Sequence, residues 1–200
     1  MVGATLNVES GSVGSSAEVA NSEVNVSGGT VGNNFDAFSG STVNISGGVV
    51  GDDFDAFGGS TVNISGGTVG NSFDAESGST VNITGGTFGN DFGARSGSTV
   101  NLFGTEFFLN DTLIDASTLG ETITIFDRGD DVILSGLFAD GTRFDFDLNS
   151  GAVFSNTRDS FDSGATLTIT RVVAVPEPGC GLTLATMSLV LLVRRRRALR

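Results

Sequence analysis

Val43 to Thr61 reads VNISGGVVGDDFDAFGGST, and Val62 to Thr80 reads VNISGGTVGNSFDAESGST. Working outward from this pair, the Val-Asn-aliphatic start recurs at Val24, Val43, Val62, Val81 and Val100, each 19 residues after the last, with Leu6 a weaker copy 18 residues before Val24. Near-identity at a fixed period of this size marks a stacked-repeat architecture in which each unit is one coil. In each unit two apolar residues, such as Val43 and Ile45, flank an outward Asn44, the period-2 pattern of a strand. The pair Gly47-Gly48, with counterparts at Gly28, Gly66 and Gly85, permits one corner, and Ser-Gly-Ser-Thr supplies a second.

These features predict an all-β fold: a single-stranded parallel β-helix (β-solenoid) of 19-residue coils over residues 1–103. Six coils at the ~4.8 Å strand spacing make a rod roughly 29 Å long. Counting places Phe35, Phe54, Phe73 and Phe92 in one inward ladder, beside Val31, Val50, Val69 and Phe88. A repeat too small to fold alone becomes stable by burying such ladders along the axis. The outward asparagines at 25, 44, 63, 82 and 101 are expected to bond side chain to side chain along the stack. Four of them begin Asn-x-Ser/Thr triplets, which the strand repeat explains without attached sugars.

From Gly104 the period is lost, and residues 104–174 read as a small antiparallel β cap. Thr122 to Ile125, Phe144 to Leu148 and Thr166 to Ile169 alternate, and Asp140-Gly141 between apolar runs signals a hairpin. Such a segment suits the open end of a solenoid, where strand edges lack partners.

Composition narrows the function. Gly supplies 30 positions and Pro only 2, which excludes collagen-like and Pro-rich chains. There are 16 Phe but no Trp, Tyr, His or Lys, so most side chains used as catalytic bases are missing. Through Ala174 the chain holds 22 acidic groups and 5 arginines, a net −17, whereas Val175 to Arg200 holds Glu177 and 5 arginines, a net +4. An acidic body repels phosphate backbones, which argues against a nucleic-acid partner. The one cysteine, Cys180, sits in the tail and cannot form an internal disulfide. The start, Met1 to Leu6, lacks the basic and apolar run of a secretory signal, so the reading expects a truncated N-terminus.

The tail, residues 175–200, has three ordered elements: Pro176-Glu177-Pro178, an apolar run from Gly179 to Val193, and Arg194, Arg195, Arg196 and Arg197. This arrangement resembles the PEP-CTERM sorting signal of bacteria. The resemblance implies recognition by an exosortase-type membrane protease, with Pro176, Glu177 and Pro178 as the sorting motif. It also implies delivery to the cell surface, often alongside exopolysaccharide production. Independently, the apolar run is 15 residues long and predicts a short terminal transmembrane helix. Val172 to Val175 and snorkelling arginines lengthen it toward the ~20 residues of a full span. The four arginines hold their end cytoplasmic and leave the acidic body outside.

Two further groups are candidate sites. Asp36, Asp55 and Asp74 form a stacked carboxylate ladder that ends where the next coil has Gly93, with Asp52, Asp53 and Asp91 close by in the corner; a hard cation such as calcium could bridge it, although the Gly-Gly-x-Gly-x-Asp calcium nonapeptide is absent. Glu76 and Arg95 occupy the coil position held by Phe38 and Phe57, and are expected to pair as an exposed ion pair. Phe38 and Phe57 are aromatics that could stack on sugar rings. The functional expectation is a non-catalytic bacterial cell-surface or extracellular-matrix protein associated with exopolysaccharide, without a required cofactor. Its alternative is a polysaccharide-acting β-helix enzyme, a lyase or glycosidase, using carboxylates or an Arg on one face.

Overall fold

The computed structural model describes residues 1–115, 118–129, 131–150 and 159–174. Pro176, Glu177, Pro178, Arg194 to Arg197 and the expected terminal helix all lie outside the described residues. Among the described residues no helix is long and apolar enough to cross a membrane.

The chain is all-β and winds into a parallel β-solenoid of about five coils. Long strands Glu23–Val31, Thr42–Val50, Thr61–Val69 and Thr80–Phe88 stack in parallel between Thr5–Val8 and Thr99–Leu109. The register is that of the 19-residue repeat: Val43 pairs with Val62, Asn44 with Asn63 and Ile45 with Ile64. The short strands Glu18–Val19, Phe35–Ala37, Phe54–Ala56, Phe73–Ala75 and Gly93–Ala94 form a second parallel sheet.

The corners follow from backbone chemistry. Gly48 has φ 74°, and a Cβ there would come within 2.7 Å of the Gly28 and Gly29 backbone, so coil-on-coil contact excludes a side chain. At the Ser-Gly-Ser-Thr corner Ser60 Oγ donates to Phe57 O at 2.6 Å and Ser79 Oγ to Glu76 O at 2.7 Å, and both serines are buried. The corner before each Phe, where the sequence sets Asp52, Asp53 and Asp91, is a third one, and there Asn34, Asp53, Ser72 and Asp91 adopt φ 56–65°. Asn and Asp tolerate this region better than other non-Gly residues.

Inside, Phe35, Phe54, Phe73 and Phe92 stack with centroids 5.0, 4.8 and 5.0 Å apart, all buried. Val31, Val50 and Val69 are buried beside them, while Phe88 is partly buried and turns toward Phe138 and Phe146. Outside, the Asn ladder forms as expected, with Nδ2 donating to Oδ1 of the preceding coil at 2.8–3.0 Å from Asn101 down to Asn7.

The region after Gly104 departs from a purely antiparallel reading. Ile133–Phe138 and Arg143–Asp147 do form an antiparallel hairpin through Asp140-Gly141. The strand Thr166–Arg171, however, runs parallel to Thr99–Leu109, with Thr99 opposite Thr166 and Leu102 opposite Ile169. Ser160–Phe161 runs parallel to Gly93–Ala94. The solenoid therefore resumes for part of a coil after the hairpin leaves it. The cause is pattern: Thr-Leu-Thr-Ile at 166–169 repeats the in–out order of Thr-Val-Asn-Leu at 99–102, and pairs with the edge that the lost period leaves open. Phe138, Phe144 and Phe146 extend the aromatic column, and Phe146 meets Phe92 edge-on at 5.3 Å.

Candidate functional site

The outward face of the short-strand sheet carries the acidic residues singled out above. Alternation buries Phe54 and Ala56 and turns Asp55 outward between them. Register then aligns Glu18, Asp36, Asp55, Asp74 and Gly93 in one column. Partial burial raises the Asp36 carboxyl above the ordinary carboxylate range, and Glu18 raises it further. Asp55 is pushed up to about 6, first by burial, then by the charges of Asp74, Asp36, Glu76 and Asp53. Like charges one rung apart disfavour ionisation of the middle member.

The column ends through a substitution. Gly93 stands where the next Asp would be, and a Cβ there would lie 1.8 Å from Asp74 Oδ1. Arg95 Nη2 lies 2.7 Å from that oxygen, an ion pair without an aligned hydrogen bond, while Arg95 Nε reaches Glu76 Oε1 only at 4.0 Å. The expected Glu76–Arg95 pair is therefore the weaker of two contacts. Asp74 is the closer partner because the missing side chain at 93 leaves room for the guanidinium.

Phe38 and Phe57 stack on each other, with centroids 4.8 Å apart and planes at 6°. Rings this close and parallel are stacked, so each spends one face on the other. Among the described residues no group of three or more acidic, His or Cys side chains is placed to hold a metal ion. Asp36, Asp55 and Asp74 thus share a column without converging on a point.

Three features escaped the sequence reading. Asn33, Asp52 and Asn71 build a second side-chain ladder: each Oδ1 accepts the backbone N–H one coil on, at 3.2, 2.8 and 2.9 Å. Asp140 at the hairpin tip accepts from Gly86 N at 3.0 Å and so fastens the hairpin to the last Gly-Gly corner. Asp159 accepts from Phe92 N at 2.8 Å and Asp147 N at 3.3 Å, tying the resumed coil to both the stack and the hairpin. Burial pushes Asp159 up to about 6, against the lowering effect of those two N–H groups, with Asp147 and Asp91 adding to the rise. It lines a cleft of about 370 Å³ together with Phe88, Asn90, Asp131, Asp145 and Asp147. One signal was present: Ser163-Gly-Ala-Thr166 repeats the Ser-Gly-Ser-Thr corner.

No protein-family model, curated protein or solved structure matches the chain. Chemically, the described surface offers carboxylates and arginines on open sheet faces.

Proposed function

We propose that this chain is a non-catalytic bacterial cell-surface or extracellular-matrix protein: a rigid acidic rod sorted through its C-terminal signal and associated with exopolysaccharide. The observation that carries the reading is the succession of sequence elements in the tail, Pro176-Glu177-Pro178, then Gly179 to Val193, then Arg194 to Arg197. An exosortase-type membrane protease reads that motif, a short terminal helix holds the precursor in the membrane, and the arginines keep their end inside. The hairpin and resumed half-coil serve as the cap that keeps the rod's last strands from pairing with other edges. A stiff repeat stack suits a spacer or scaffold outside the cell, and its net −17 body keeps it soluble there.

The second reading, a polysaccharide-cleaving enzyme, draws on Asp55, whose carboxyl titrates near neutral beside Asp74 and Arg95. Against it, the ladder lies on an open sheet face, and Arg95 neutralises Asp74.

Fractionation of cells carrying the full-length chain with an export signal tests the proposal. Protein is expected at the surface when the matching exosortase is present and in the inner membrane when it is absent. A chain lacking residues 175–200 is expected in the medium. Identical fractionation of truncated and full-length forms removes the tail as anchor and as address.

A further inference from the structure

The face outside the long strands carries two unbroken columns. Thr42, Thr61, Thr80 and Thr99 lie in register, and beside them run Asn44 to Asn101. Both columns are half-exposed and uncharged from the coil of Thr42 onward, on a body with 22 acidic groups. The columns do not stop with the repeat. The resumed strand, 67 residues on, places Thr166 opposite Thr99 and Thr168 opposite Asn101, and Thr168 Oγ1 donates to Asn101 Oδ1 at 2.7 Å. Beyond it Thr124 pairs with Thr168, so hydroxyls continue onto one more strand.

From this arrangement we infer that the Thr/Asn face binds a neutral, extended polysaccharide laid along the rod axis; the inference rests on the surface reading above and names its partner. Each Asn from Asn63 onward uses one N–H and one lone pair in the ladder, keeping a second donor and a second acceptor for a ligand, whereas Asn44 spends its second N–H on Glu23. Paired donors and acceptors are what sugar hydroxyls, themselves both donors and acceptors, require. Rungs ~4.8 Å apart present such a set to successive pyranose rings of an extended chain. Charge selects the class of polymer: a uronate or sulfated chain is repelled by the net −17 body, and a neutral one is not. The opposite sheet is less suited, because Glu18, Asp36, Asp55 and Asp74 run down it and its two aromatics face each other.

Affinity electrophoresis of the full chain in mild nonionic detergent tests this, in gels containing a soluble neutral β-glucan or, separately, alginate. Retardation is expected in the glucan gel and not in alginate. Thr61→Glu with Thr80→Glu should weaken glucan binding about tenfold or more, as charged groups replace hydroxyls on the contact face. Thr61→Val with Thr80→Val keeps β-branched residues in both strands, so it removes hydroxyls without endangering the fold, and should weaken binding in the same direction. Phe38→Ser with Phe57→Ser, on the other sheet, should leave retardation unchanged. The inference is overturned by an unretarded wild type, by equal retardation in alginate, or by full binding in a folded Thr61/Thr80 variant. A chain that fractionates to the surface yet shows no retardation removes this inference and leaves the surface reading standing.

Discussion

Truncating one ring of the Phe ladder is the sharpest probe of the stacked core. Phe54 is fully buried and stacks on Phe35 at 5.0 Å and on Phe73 at 4.8 Å, so Phe54→Ala removes both ring contacts and leaves a cavity in mid-stack. Losses of about 3–5 kcal/mol are usual for a buried Phe. For a chain of this size each kcal/mol shifts the melting temperature by about 2–4 °C, so a fall of about 6–20 °C is expected. Such a loss is a large fraction of a typical domain's stability of about 5–15 kcal/mol. Phe57→Ala, three residues on and half-exposed, removes one outward ring contact and should cost about 1 kcal/mol. Thermal melts and urea titrations followed by circular dichroism read both variants. Equal loss at Phe54 and Phe57 would mean that the inward and outward columns are wrongly assigned, because a one-residue slip in register exchanges the two faces.

Three further outcomes follow from the same geometry. Asn63→Ser removes the 2.8 Å amide bonds to Asn44 and Asn82 from a solvated face, and is expected to cost only about 1–2 kcal/mol in the same melts. Gly48→Ala should cost at least about 1–2 kcal/mol from its φ of 74° alone, with the 2.7 Å approach to Gly28 and Gly29 adding to it. Asp55 holds its proton more tightly folded than unfolded, where its pKa is 3.8, so its contribution favours the fold at low pH and is lost as pH rises through about 6. Asp36 and Asp159 act in the same direction. Stability should therefore fall as pH rises from about 4 through about 6, and Asp55→Asn should flatten that fall; an unchanged slope would remove the half-buried Asp55 carboxyl as its cause.

Much of the fold was legible because the repeat reports register directly. Once Val43 and Val62 are aligned, the position of Phe54 over Phe35 and of Asn63 over Asn44 follows by counting. The conformation of the third corner was not legible, since Asn34, Asp53, Ser72 and Asp91 share a backbone geometry and not a residue type. The resumed half-coil was hidden for another reason. Alternation alone shows that Thr166 to Ile169 is a strand, but which strand it joins is decided by the edge left free at Thr99 to Gly104. The acidic column and its end at Gly93 followed by counting, while the consequence did not: the absent side chain at Gly93 admits Arg95 to Asp74, which is visible only once the coils are stacked. Asp159 and Asp140 act through backbone N–H groups 67 and 54 residues away, distances over which no local pattern reports.

The claim that the tail is a sorting signal, and with it the surface reading, is tested most directly by the intact mass of the protein recovered from an exosortase-bearing host. The account predicts a surface form whose mass lacks Arg194 to Arg197, and a cell-retained form of full mass when Pro176, Glu177 and Pro178 are changed to alanine. A surface form that keeps all four arginines, or an alanine variant processed like the parent, contradicts it.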